Sequence, residues 1–172
     1  THLVNQTGTV TVLDAARAAG RIPVVYASSA AIYGNLGDVV AHEGLHPDPL
    51  TAYGADKLGS ELHAKVAMRV HGVPSVGLRF FNVYGPRQDP RSPYSGVISI
   101  FAGLIAAGKP ITVHGDGAQT RDFVFVADVV AHLRAAMRLA EAGQASDVFN
   151  VCSGHATTVL QLAQALAAAA GR

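Results

Sequence analysis

Polar and apolar positions change period several times along this chain, and the changes mark out its elements. Over residues 2 to 19 the apolar side chains Val10, Leu13, Ala16 and Ala19 recur three apart, the spacing of one helix face, and Gly20 supplies a stop. "IPVVYASS" is an apolar run with β-branched residues, which predicts a strand buried on both faces. A loop rich in Gly, His and Pro runs from Gly34 to Thr51. From Ala52 to His71 the pattern is helical, with Leu58, Leu62, Val66 and Val70 four apart and Gly72 as the stop. "PSVGLRFFNVYG" predicts a strand, "RQDPRSPYSG" a loop and "VISIFAGLIAAG" a helix; "PITVHGDG" and "TRDFVFV" predict two short strands around a Gly-rich turn. Residues 127 to 142 are helical, "DVFNVCSG" is a strand, and Thr158 to Ala170 forms the last helix with Thr157 as its cap.

Strands taking turns with helices of 12 to 20 residues predict an α/β fold, a doubly wound parallel sheet covered by helices on both faces. Such sheets bind ligands at the carboxyl ends of their strands. The chemically capable residues fall there: Ser28 and Ser29 after "VVYA", Asn82 after "GLRFF", and Tyr53 at the head of the next helix.

Composition narrows the classes. The chain has 172 residues, 49% of them hydrophobic and 15% charged, which fits one domain with a core. A net charge of +1 gives no reason to expect nucleic acid or an anionic membrane. The apolar stretches are broken by Gly, Pro or charges well before the roughly 18 residues a membrane span needs. Residues 1 to 20 read as an amphipathic helix with no cleavage site. The single cysteine, Cys152, permits no internal disulfide, which fits the cytoplasm, and it reads as a small buried strand residue. The eight histidines lack metal-ligand spacing and read as loop and surface residues.

The stretch "AYGADKLGSE" places Tyr53 and Lys57 four apart, so both project from one helix face. A phenol ionises near pH 10, and a neighbouring cation favours its phenolate. With Lys57 as that cation and the Ser29 hydroxyl donating to the same substrate oxygen, the set is suited to taking a proton from an alcohol.

In order, "YASSAAIYG", "YGADK", "LRFFNVYGP" and "VHGDGAQTRDFVFVADV" resemble the extended branch of the short-chain dehydrogenase/reductase superfamily, and more narrowly the nucleotide-sugar 4-epimerases that act on UDP-glucose or UDP-N-acetylglucosamine. The resemblance covers nearly the whole chain. It implies a Rossmann-like fold, with residues 1–82 as the second half of an NAD-binding domain and residues 83–172 as a mainly substrate-binding region. It implies NAD as cofactor, a UDP-hexose as substrate and a homodimer formed through the helices at residues 2 to 19 and 53 to 71. Tyr53 is similar to the catalytic tyrosine, Lys57 to the lysine that holds the nicotinamide ribose, and Ser29 to the serine on the reacting hydroxyl. Tyr33 is similar to a structural tyrosine of the same motif. Ser28 and Phe80 fall on the cofactor side. Asn82, Arg87 and Arg121 fall on the nucleotide-sugar side, where an amide and guanidinium forks suit a diphosphate. Asn5 resembles a helix asparagine that holds a water near the tyrosine.

Two departures qualify the resemblance. Dehydratases of this family carry an Asp-Glu pair directly after the serine, because loss of water needs a further acid and base; here Ala30 and Ala31 occupy those positions. No G-x-G-x-x-G or G-x-x-G-x-x-G occurs in the 172 residues, although the family binds its dinucleotide on such a turn. We therefore expect a fragment of a longer enzyme, without the Gly-rich front and the C-terminal end, inactive on its own. A dehydrogenase, reductase or dehydratase of the superfamily, or a non-catalytic remnant, are the alternative readings.

Overall fold

The computed structural model describes residues 1–92, 95–143 and 147–171. It divides into two units, one of Thr1–Phe80 with Val130–Val151, the other of Phe81–Val129 with Cys152–Arg172. Of the loop expected over "RQDPRSPYSG", Pro93 and Tyr94 lie outside the described residues.

The first unit holds a parallel sheet in the order β1, β2, β5, formed by Val24–Ser29, Ser75–Phe80 and Asp147–Val151. Strand β2 is the middle strand and is buried from Ser75 to Arg79. Strand β1 pairs only with β2 among the described residues, and Ala27 is exposed, so the expectation of burial on both faces fails there: a strand with one neighbour keeps open surface. Tyr26 of β1 lies in register with Gly77 of β2. A Cβ on Gly77 would lie 2.6 Å from the Tyr26 ring, so the missing side chain makes the space the ring fills. The buried Tyr26 hydroxyl has no hydrogen-bond partner among the described residues. Burial, with the Glu61 carboxylate nearby, pushes the Tyr26 phenol up. An orphaned buried hydroxyl costs free energy. Tyr26→Phe is therefore expected to leave stability unchanged or raise it by about 1 kcal/mol, as chemical denaturation will show; a clear loss would mean the hydroxyl has a partner.

The N-terminal helix opens with a π-helical turn, Leu3–Thr7, and continues as α1, Gly8–Ala18. Helix α2, Ala52–His71, packs along it. Ser60 donates to the Asn5 carbonyl (3.1 Å) and to Thr9 Oγ1 (3.2 Å). Leu13, Ala16, Tyr26, Ala64, Ala67 and Val73 form the core beneath. The apolar stripe of Leu62, Val66 and Val70 is exposed. The face α2 buries carries Gly54, Asp56, Ser60, Glu61, Ala64 and Ala67. Glycine, serine and alanine on this face let α2 lie close to α1 and to the turn after β1, while the large apolar side chains point outward.

The second unit has β3, Asn82–Tyr84, parallel to β4, Thr120–Phe125, and β6, Ala156–Thr158, antiparallel to β4. The apolar run over "PSVGLRFFNVYG" is thus two strands in two sheets, and "PITVHGDG" forms no strand. Helix α3, Val97–Ala106, packs on α5, Val159–Ala169, through Phe101, Val159 and Ala163. Helix α4, Val126–Glu141, follows β4. The cap of α5 is Thr158, not Thr157: its Oγ1 accepts from the Gln161 amide (3.0 Å), and Gln161 Oε1 accepts from the Thr158 amide (2.9 Å), a reciprocal capping box.

Candidate functional site

Ser29 ends β1 and caps a 3-10 turn, Ala30–Tyr33. Its Oγ accepts from the Ala31 amide (3.2 Å), which leaves the hydroxyl hydrogen free to be donated. Thr51 caps α2 by accepting from the Gly54 amide (3.0 Å). This start sets Tyr53 in the first turn, 40% exposed. One turn on, Lys57 places its Nζ 5.7 Å from the centre of the Tyr53 ring and donates to the Ala27 carbonyl (3.0 Å). Burial pulls the Lys57 amine below the ordinary lysine range. Lys57 therefore links the face of α2 that carries Tyr53 to the strand end that carries Ser29, and Phe80 lies in register with Ser29 at the end of β2. Asn5 donates its side-chain amide to the Thr1 carbonyl (3.2 Å).

The head of α2 comes this close to the strand end because residue 54 is glycine. A Cβ there would lie 2.6 Å from the Ala31 carbonyl oxygen and 3.0 Å from Pro49. Backbone cannot step aside as a flexible side chain does. Gly54→Ala, which gains roughly 1 kcal/mol in an open helix, is expected here to cost about 1–3 kcal/mol by overpacking. Thermal unfolding measures it, and a stabilised variant would contradict the close approach.

Behind these residues runs a polar network, buried at Arg79, Glu61 and Ser28, that the sequence reading missed. Arg79, near the end of the apolar β2, meets Glu61 of α2 through Nε (2.9 Å) and Nη2 (2.7 Å). Its Nη1 donates to the Tyr33 hydroxyl (2.8 Å), which donates to Asn150 Oδ1 (2.7 Å). Glu43 accepts from the Asn150 amide (2.7 Å), and that bond holds its carboxyl below the usual range. Burial opposes the charge on Arg79, yet the bonds to Glu61 and Tyr33 outweigh it and hold the guanidinium above its ordinary value. Ser28 is buried with its hydroxyl donating to Glu61 (2.5 Å). A charged residue inside an apolar strand was the visible signal.

In the second unit, Asn82 and Arg121 line one cavity of about 470 Å3 with His114, Thr112 and Gln119 over an apolar floor that includes Phe101 and Leu104. His114 is an exposed loop residue, as expected, at the rim of this cavity. Asn82 Nδ2 donates to the Asp122 carbonyl (3.0 Å). The Asp122 carboxylate accepts from the Ser153 (2.7 Å) and Gly154 (2.8 Å) amides. Arg121 donates to its neighbour's carbonyl, Thr120 (2.7 Å). Arg87 is exposed, with a left-handed backbone (φ 72°). It lines a different cavity of about 240 Å3, with Tyr84 and Val126. No helix among the described residues is long and apolar enough to cross a membrane.

Known proteins share this fold. UDP-glucose 4-epimerase from Mycolicibacterium smegmatis is 37% identical over 98% of this chain and 53% of its own length. The crystal structure of UDP-glucose 4-epimerase from Thermotoga maritima, with UDP-glucose, superposes at a TM-score of 0.89 and 34% identity, covering 99% of this chain and 54% of that one. dTDP-glucose 4,6-dehydratase from Streptomyces venezuelae, with NAD bound, matches at a TM-score of 0.83 and 30% identity over 97% of this chain and 50% of that one. The chain thus spans about half the length of the relatives it matches. The family model described as NAD dependent epimerase/dehydratase matches residues 1–152, and with the serine, tyrosine and lysine set at the ends of a parallel sheet, this chain belongs to that family.

Proposed function

We propose that this chain works within an NAD-dependent 4-epimerase of a nucleotide-activated hexose, of the UDP-hexose type. The observation that carries the reading is Lys57, set against the Tyr53 ring and bonded to the strand that ends in Ser29. The residues fit NAD: an ammonium has three donors, and Lys57 uses one on Ala27, leaving two for the hydroxyls of a ribose. Phe80 would wall the same end of the sheet.

The Ser29 hydroxyl donates to the sugar's 4-oxygen and orients it. Tyr53, as phenolate, takes the proton of the 4-hydroxyl and returns it when the 4-ketose has turned over. The Lys57 ammonium stabilises that phenolate. NAD, when bound, supplies the redox chemistry by accepting the C4 hydride and giving it back. In the second unit the Arg121 guanidinium and the Asn82 amide suit the diphosphate, and Arg87 is a further candidate. Ala30 and Ala31 cannot move a proton, which favours epimerisation over the dehydration performed by some relatives.

The reading extends to the assembly. The outward stripe of Leu62, Val66 and Val70, with exposed Leu3, Val4 and Val12 on the neighbouring helix, suits a homodimer in the cytoplasm built from these two helices. The 172 residues hold no Gly-rich phosphate turn, so this chain alone is inferred to be inactive. The test is interconversion of UDP-glucose and UDP-galactose by the full-length protein with NAD. Arg121→Ala is expected to raise KM for the nucleotide sugar by about 10-fold or more, the worth of a charged hydrogen bond, with kcat less affected. Absence of any 4-epimer from the wild-type protein would refute the reading.

A further inference from the structure

We propose that Glu61 is a positioning residue that fixes the rotation of α2 about its own axis, and so the placement of Tyr53 and Lys57 against Ser29. The inference rests on the reading of those three residues as the catalytic centre.

Both oxygens of the Glu61 carboxylate are held from fixed directions. Oε1 receives the Ser28 hydroxyl (2.5 Å) and Arg79 Nε (2.9 Å), and Oε2 receives Arg79 Nη2 (2.7 Å). Ser28 is the residue next to Ser29, so one hydrogen bond joins the strand end bearing the serine to the helix bearing the tyrosine and lysine. Glu61 stands four residues after Lys57 and eight after Tyr53, roughly 40° and 80° around the helix. Arg79 in turn bonds the Tyr33 hydroxyl (2.8 Å), which secures the turn that follows Ser29.

Stability alone does not call for charge here. Apolar residues of similar volume hold a buried helix to a sheet at least as well as an ion pair does. Directional bonds add a preferred rotation, which apolar packing between small residues leaves loose. A rotation of roughly 10° moves an atom at the rim of a helix, roughly 5–6 Å from its axis, by about 1 Å. A misplacement of that size costs about 10²-fold in rate.

The test uses the full-length protein and two variants. Ser28→Ala cuts the bond from β1 and leaves the Arg79–Glu61 pair in place. Glu61→Leu combined with Arg79→Met replaces the pair by apolar volume. Each is expected to lower kcat by about 10-fold to 100-fold, with KM for the nucleotide sugar and for NAD changed by less than about twofold. The paired replacement is expected to melt at or above the wild-type temperature. Wild-type kcat in a stable paired replacement would overturn the proposal, because the network would then be structural only. A loss in Ser28→Ala confined to KM for NAD would overturn it too, by placing Ser28 on the cofactor.

Hydrogen exchange supplies a readout that does not depend on turnover. In Ser28→Ala, exchange is expected to quicken at residues 30–33 and 52–57 with the melting temperature nearly unchanged; unchanged exchange there would contradict the clamp. If the wild-type protein epimerises nothing yet exchange quickens, the catalytic reading fails and the clamp stands.

Discussion

Replacing Tyr53 with phenylalanine in the full-length protein lowers turnover by about 10²-fold or more, the share a general base contributes, while the fold stays intact. The ring keeps its place beside Lys57, since Tyr53 is 40% exposed and its hydroxyl supports no core packing. What is lost, on the proposed mechanism, is the oxygen that takes the proton of the 4-hydroxyl. Ser29→Ala costs less: the hydroxyl orients the sugar oxygen, and the phenolate remains to act on it. Steady-state kinetics with saturating NAD and nucleotide sugar checks both variants, alongside circular dichroism to confirm folding. Near-normal turnover in Tyr53→Phe would remove Tyr53 from the mechanism.

Arg79→Leu is expected to produce the largest loss of stability of any single substitution considered, about 3–5 kcal/mol, the cost of leaving one member of a buried pair unpaired. Arg79 is 4% exposed and Glu61 8%. Removing the guanidinium leaves the Glu61 carboxylate with the Ser28 hydroxyl as its remaining partner and takes a donor from Tyr33. Changing both members together to apolar residues is expected to abolish this loss, because no buried charge is then left over. Urea unfolding of the single and double variants measures the difference, and a loss below about 1 kcal/mol in the single variant, the level of an exposed pair, would mean that water reaches the pair.

How much of this was legible in the chain depends on how local each signal is. Tyr53 and Lys57 could be placed together because four residues make about one helical turn, and the end of α2 before Gly72 is a local signal of the same kind. The orientation of α2 was not legible. Leu62, Val66 and Val70 carry the regular apolar spacing, yet the face that packs is the one with Gly54, Ser60, Ala64 and Ala67. Close approach to α1 decides this, and spacing within α2 does not encode it. The division of "PSVGLRFFNVYG" into β2 and β3 depends on partners far along the chain, Asp147 to Val151 for one and Phe123 to Phe125 for the other. Arg79 and Glu61 were invisible as a pair because they meet across 18 positions, from strand to helix. The α5 cap was readable and was misplaced by one: among adjacent threonines, Thr158 alone has a glutamine three residues on.

Of the candidate residues, Ser29, Tyr53, Lys57 and Phe80 gather at the ends of β1 and β2 and the head of α2. Asn82 and Arg121 share a cavity in the other unit, and Arg87 lines a separate one.

The central claim is that the sugar is oxidised and reduced again at the same carbon. UDP-glucose carrying deuterium at C4, incubated with the full-length protein and NAD, tests it by nuclear magnetic resonance and mass spectrometry of the product. The account predicts UDP-galactose with the deuterium still at C4. Deuterium moved to C6 of a 4-keto-6-deoxy sugar, or exchanged into water, would contradict it.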